Sequence, residues 1–264
     1  MSDNIYKFQK RAVDKPSQPI FNKDKIPNLN IPKVLIYVVG AFFAIQLLRQ
    51  ILPGQIDAYI VGGLAFNPLN YAHAQSIYAD ALIPHSLTLF ASPVSYALFH
   101  DGWMHVLMNS LWLVVFGTPL AWRFGAVRFI LFCLITAFGG VVLHFLSHFF
   151  ENAPMIGASA ITSGVMAATL RFAFTGPINY IPRSDISRYK LPAPELRDVI
   201  RTQIVIIFVV IWLVFNFISS VGTNVAWQAH VGGFLFGFIA FELLDPFKNS
   251  NNKRPKKPHF KTYH

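Results

Sequence analysis

The chain has 264 residues, of which 54% are hydrophobic and only 13% charged, with 26 phenylalanines. Globular chains average about 25% charged residues, so this composition excludes a water-soluble fold, and its long apolar runs exclude a disordered chain. The net charge of +10 sits mostly in the two tails and short spans between apolar runs. A chain that already demands a bilayer does not need nucleic acid to explain that charge, and none is expected as a partner. A single cysteine, Cys133, allows no intrachain disulfide.

Residues 1–33 form a polar tail carrying Lys7, Lys10, Arg11, Lys15, Lys23, Lys25 and Lys33. No secretory signal is expected, since the first apolar run follows this basic stretch and has no small-residue cleavage site. That run, about 34–52, is long enough to cross a hydrocarbon core of about 30 Å and predicts the first transmembrane helix. Residues 53–102 make a long outer loop, moderately apolar, expected to lie partly in the membrane interface. Further spans are predicted at about 103–122, 127–149, 157–175, 203–219 and 226–245. Residues 246–264 form a basic, proline-containing tail expected to be solvated. The fold class is thus all-α, a polytopic membrane protein with a six-helix domain over 34–245.

Orientation follows from the positive-inside rule. With the N-terminus in the cytoplasm and six spans, every lysine and arginine except Arg49 falls on the inner side. An odd number of spans would place the basic C-terminal tail outside. Both termini are therefore expected in the cytoplasm. The absence of a targeting peptide from so short a chain fits a bacterial inner membrane.

Polar residues inside the spans are costly in lipid and become the functional candidates. His105 and Asn109 are spaced i, i+4 on one face of the second helix. Ser159 follows Gly157 and Ala158 at the start of the fourth. His230 lies in the sixth, followed by Gly233 and Gly237. Counting from Arg171 and Glu242 as inner-end markers puts Ser159 and His230 each roughly 18 Å up their helices. Asn109 lies roughly 21 Å above Arg123 on the same count. Serine, histidine and asparagine from three helices thus share one layer of the outer half, and these are the parts of an acyl-transfer site. Singly, each has a plainer role. Ser159 is a helix cap or small packing residue, Asn109 bonds a neighbouring helix, and the Gly233–Gly237 pair allows close helix approach.

In this order and spacing, the residues resemble the rhomboid family of intramembrane serine proteases. The resemblance covers about 95–245. It is carried by His100, His105 and Asn109, Gly117, the Arg123-Phe124-Gly125 turn, Gly157-Ala158-Ser159, and Ala229, His230, Gly233 and Gly237. It implies a six-helix rhomboid-like bundle in which Ser159 is the nucleophile and His230 the general base, with no acidic third partner, cofactor or metal. It adds the side chains of Asn109 and His105 as oxyanion donors. The Ser159 N–H is a third donor on physical grounds, because first-turn amides lack intrahelical acceptors. The resemblance further implies single-pass transmembrane proteins as substrates, cut near the outer face. The chain departs from the family pattern at Ala160, where glycine is usual, and at Ser163, where many members carry a tyrosine against the base. Trp227 or Trp112 are then the candidates to orient His230. Ala91 and Ser92 stand where a Trp-Arg pair commonly braces the first loop.

Three rival readings remain. A catalytically silent rhomboid-like protein would bind membrane clients without cutting them. A metal enzyme is suggested by His144 and His148 at i, i+4, but no HExxH pattern accompanies them, and they read better as interfacial or packing residues. A transporter would show inverted repeats or broken helices in both halves, and neither is present.

Overall fold

The computed structural model describes residues 30–72, 83–174, 189–223 and 225–247. The expected tails, apart from 30–33 and 246–247, lie outside these residues, as do Arg183 and Arg188 of the orientation argument. The elements below belong to one compact unit beginning at Ile31. Among the described residues the structure is helical, with a single isolated bridge between Phe66 and Met155.

Helix α1 runs Lys33–Ile51 and stops just before Pro53, whose ring disfavours helical backbone at the residue preceding it. It buries only Leu35, Phe42 and Gln46, a narrow stripe seven and four residues apart. Ile36, Tyr37, Leu47 and Leu48 on the other faces stay exposed, as a helix facing lipid requires. The long loop that follows is itself folded. It holds α2 (Gly54–Leu64), a 3-10 turn at Pro68–Tyr71, α3 (His85–Ser95) and a second 3-10 turn at Tyr96–Leu98. Arg49 ties these pieces together. Its Nε and Nη2 donate to both carboxylate oxygens of Asp57 at 2.7 and 3.1 Å, and its Nη1 donates to the His100 carbonyl at 2.6 Å.

Helix α4 covers Gly102–Ser147, 46 residues broken at Gly125 with φ 73° and ψ 171°. The backbone at the break needs a glycine, since side chains disfavour positive φ. The two limbs fold back on each other. A Cβ placed on Gly117 would lie 3.4 Å from Phe129 Cζ, whereas twelve residues of straight helix would separate them by about 18 Å. The second and third expected spans are these two limbs. Helices α6 (Leu196–Val199), α7 (Gln203–Ser220) and α8 (Trp227–Leu244) complete the chain after α5 (Ser159–Leu170).

Among the described residues four helices, α1, α4, α7 and α8, are long and apolar enough to cross a membrane. The expected fourth span is shorter than its predicted bounds of 157–175. Helix α5 has 12 residues, about 18 Å, against a core of about 30 Å. The reason lies in its surroundings: every residue from Ala160 to Leu170 is buried between α4 and α8. A helix wrapped by other helices has no lipid to match, so its length is set by its neighbours.

Helices α5 and α8 meet backbone to backbone. A methyl group on Gly233 would collide with the Ala160 carbonyl, and one on Gly237 with the Gly164 carbonyl. The pairs 160–233 and 164–237 advance together, so the two helices run parallel in this register. Ala160, where a glycine was expected, is accommodated by Gly140 opposite, whose own Cβ would come within 2.5 Å of the alanine methyl.

At the opposite end of the bundle Arg123, only 3% exposed, spans from α4 to the end of α8. Its Nε and Nη2 donate to Asp245 at 2.9 and 2.7 Å, and its Nη1 to the carbonyls of Tyr189 and Leu191. Phe172, Phe241 and Phe247 lie about the guanidinium. Removing one partner of such a pair strands the other charge in an apolar site. Arg123→Met is therefore expected to destabilise the protein by about 3–5 kcal/mol. The double variant Arg123→Met/Asp245→Leu should recover most of that loss. Unfolding of the detergent-solubilised variants measures both, and an unchanged single variant would refute the assignment.

Candidate functional site

The site grows from the turn into α5. Gly157 has φ 117°, a conformation side chains rarely adopt, and a Cβ there would lie 2.7 Å from the His105 ring. Its N–H donates to the Tyr96 carbonyl at 3.0 Å, and the Tyr96 hydroxyl donates to the Ala137 carbonyl at 2.9 Å. The turn is thereby pinned to α4 through the second 3-10 segment. The Ala158 N–H points to His100 Nε2 at 3.4 Å. Ser159 is the first residue of α5, half-buried, with its Oγ free of hydrogen bonds among the described residues. The first backbone bond across this end runs from Thr162 N–H to the Ala158 carbonyl. The Ser159 amide therefore lies in the unsatisfied first turn, where the helix dipole favours negative charge.

Helix α4 presents the other polar groups. His105 Nδ1 accepts from the Asp101 N–H at 3.1 Å. With that nitrogen accepting, the neutral ring carries its hydrogen on Nε2, the atom that lies against Gly157. Asn109, buried one turn later, donates from Nδ2 to the His105 carbonyl at 3.1 Å, and the same nitrogen is 3.9 Å from where a Gly157 Cβ would stand. His105 and Asn109 thus bring two side-chain donors to the residue two before Ser159. His100 supports them from behind. Its ring meets His105 edge-on at 5.1 Å and Phe42 at 5.1 Å. Burial first, then the neighbouring His105, pulls its imidazolium down to about 4, so the ring is neutral at pH 7.

His230 occupies the first turn of α8, half-buried, with His105 in electrostatic reach. The 160–233 register places it level with the turn that precedes Ser159, at the same end of two parallel helices. His105 and Asn109 therefore gather at Gly157 and His100 at Ala158, next to Ser159 in the chain, and His230 stands level with Gly157, while Gly233 and Gly237 serve the helix contact beneath them. The spans had also offered Trp112 and Trp227 as partners of His230. Trp112 pairs instead with Phe116, and Trp227 lines a cleft of about 510 Å³ with Gln228, His144, His148 and Asn152. The residue bonded to His230 is Asn216 of α7, whose Oδ1 is 2.5 Å from Nδ1. Sequence reasoning missed it, although an asparagine amid an 18-residue apolar helix is the kind of signal that marks intramembrane function.

Two further expectations can be placed. His144 is buried, with Nε2 bonded to the Ala153 carbonyl at 2.9 Å and its ring 4.5 Å from that of His148. In the first loop Ser92 is buried, and Tyr71 braces the segment by donating to the Leu89 carbonyl at 2.9 Å and meeting Ser92 Oγ at 3.2 Å.

The Rhomboid domain matches residues 89–245 of the chain. RHOMBOID-like protein 4 of Arabidopsis thaliana is 31% identical over 170 residues, covering 62% of this chain and 38% of that protein. The mitochondrial RHOMBOID-like protein 6 of the same plant is 32% identical over 166 residues, 58% of this chain and 45% of that one. Rhomboid protease GlpG of Serratia proteamaculans is 26% identical over 146 residues, 55% and 45% of the two chains. The chain spans less than half the length of each of these relatives. The matched domain takes in α4, α5, α7 and α8, the apolar helices that make this an integral membrane protein, together with each of the converging polar residues. More than half of the sequence thus lies within one domain, and the chain belongs to the rhomboid family.

Proposed function

We propose that the protein is an intramembrane serine endopeptidase that cuts transmembrane segments of single-pass membrane proteins near the outer face. The observation that carries this reading is the convergence at one end of α5. Ser159 stands at a helix N-terminus two residues after Gly157, which lies against the Nε2 of His105 and near the Nδ2 of Asn109, and His230 on the adjoining parallel helix is level with that same turn. The relative from Serratia proteamaculans is itself named a protease.

Chemistry follows from these positions. Ser159 Oγ attacks the peptide carbonyl while His230 Nε2 accepts its proton. The resulting oxyanion is met by the Ser159 N–H, His105 Nε2–H and Asn109 Nδ2–H, donors held in place before reaction. Collapse breaks the C–N bond, and His230 returns the proton to the leaving amine. Water then attacks the acyl ester with His230 as base again, releasing the carboxylic acid and restoring Ser159. The absent direct Ser159–His230 bond is no obstacle, since catalytic hydrogen bonds often tighten only with substrate bound. Substrate must supply an extended segment, because a transmembrane helix hides its carbonyls in its own ladder. The charge distribution supports both tails on the cytoplasmic side, which puts the cut on the outer side.

Detergent-purified protein should cleave a fluorogenic transmembrane peptide, and Ser159→Ala and His230→Ala, folded to the same extent, should each abolish cleavage. A wild type silent on several substrates would leave a client-binding rhomboid as the better reading. Continued cutting by Ser159→Ala would remove the serine mechanism. Asn109→Ala should lower kcat by about 10²–10³ with little change in KM, the signature of a lost oxyanion donor. A rise in KM alone would mean that Asn109 binds substrate instead.

A further inference from the structure

We infer that Asn216 is the positioning residue of the site, fixing the tautomer and orientation of His230 from α7, an inference that rests on the serine-protease reading above. Helix α7 is otherwise almost wholly turned outward: of its 18 residues only Val205 and Asn216 are buried. Asn216 is 6% exposed, and a buried amide in such a helix costs free energy unless both of its ends are bonded. Both are. Nδ2 donates to the Trp212 carbonyl one turn earlier at 2.8 Å, and Oδ1 faces His230 Nδ1 at 2.5 Å.

The first bond decides the second. Because Nδ2 is committed to a carbonyl, the end of the amide that meets the histidine is an oxygen, which can only accept. His230 must then carry its hydrogen on Nδ1, since the other tautomer would set two lone pairs against each other. Nε2 is left bare, and that is the nitrogen a general base needs. The carbonyl dipole of Asn216 does for orientation what a carboxylate does in soluble serine hydrolases, without placing a charge among apolar helices. It also accounts for the base being held although Ser163, at the position where a tyrosine was expected, has no ring to lay against it. Among the described residues His105 on α4 is the titratable group within reach of His230; α5 and α7 present none there.

The full-length protein with Asn216→Ala and Asn216→Asp tests this, beside Ser159→Ala as the activity control and thermal unfolding as the fold control. Asn216→Ala should lower kcat by about 10–100-fold with KM nearly unchanged. Asn216→Asp offers the same acceptor and should restore most of the rate. Its carboxylate would also stabilise the imidazolium, so the acid limb of kcat/KM should move to higher pH. Wild-type kcat in Asn216→Ala and an unmoved acid limb in Asn216→Asp, in a protein that Ser159→Ala silences, would overturn the role of Asn216 and leave the protease standing. A wild type that cuts nothing would remove both. Apart from turnover, 15N spectra of histidine-labelled protein, with His230 assigned by its loss in His230→Ala, should show a protonated Nδ1 and bare Nε2. A bare Nδ1 in the wild type would overturn the inference.

Discussion

Everything at the site depends on how closely α5 and α8 approach. In a bilayer no hydrophobic force pulls one helix onto another, so association rests on van der Waals contact, hydrogen bonds and small residues that let backbones touch. Gly233 and Gly237 lie directly against the carbonyls of Ala160 and Gly164. That contact sets the register of two parallel helices, and the register brings His230 level with Gly157, in the turn that leads into Ser159. The same contact explains the short length of α5: a helix buried along its whole face is held by α4 and α8 and has no membrane thickness to satisfy. Where this chain carries Ala160, the extra methyl is received by Gly140 on α4, so the close approach survives by moving a small residue across the interface.

Charge is handled at the two ends of the bundle. At one end Arg49 joins Asp57 to the His100 carbonyl, linking α1, α2 and the start of α4. At the other, Arg123 joins Asp245, and Arg171 joins Glu242, across the last helix. Each of these three arginines has a carboxylate, and Arg123 has carbonyls and aromatic faces as well, which offsets the cost of a cation in apolar surroundings. Between these layers, the polar groups of the described site are imidazoles, amides and hydroxyls. Thr169 Oγ1, for example, donates to the Phe116 carbonyl and ties α5 to α4 without any charge.

Hydrogen bonding also shapes the polar cluster. The tautomers of His105 and His230 are each set by a single bond to Nδ1, donated by a backbone amide in one case and received by a side-chain carbonyl in the other. His105 is left presenting an N–H, and His230 a lone pair. Two identical side chains thus acquire opposite capacities from partners that lie on α4 and α7, one donor and one acceptor.

Much of this was readable in the residues. Hydropathy located α1, α7 and α8 to within a residue or two, and the Arg-Phe-Gly turn marked the break of α4, because helices in lipid must be continuous apolar runs and glycine permits positive φ. A similar depth for Ser159, His230 and Asn109 was the expectation from rise per residue. Other features needed three dimensions. The loop over 53–102 holds α2 and α3, and its partners include residues far off in the chain, such as Met155 against Phe66 and Asn152 against Asn67. The bounds of α5 depend on what surrounds it, and no property of its own sequence says that it is wrapped. Asn216 stands 14 residues before His230 on another helix. Their meeting depends on the rotation of α7 against α8. Local periodicity can place a residue on a helix and estimate its depth, because both follow from backbone geometry within one segment. Which faces then turn toward each other is decided by side-chain contacts between segments, and only the folded bundle contains them.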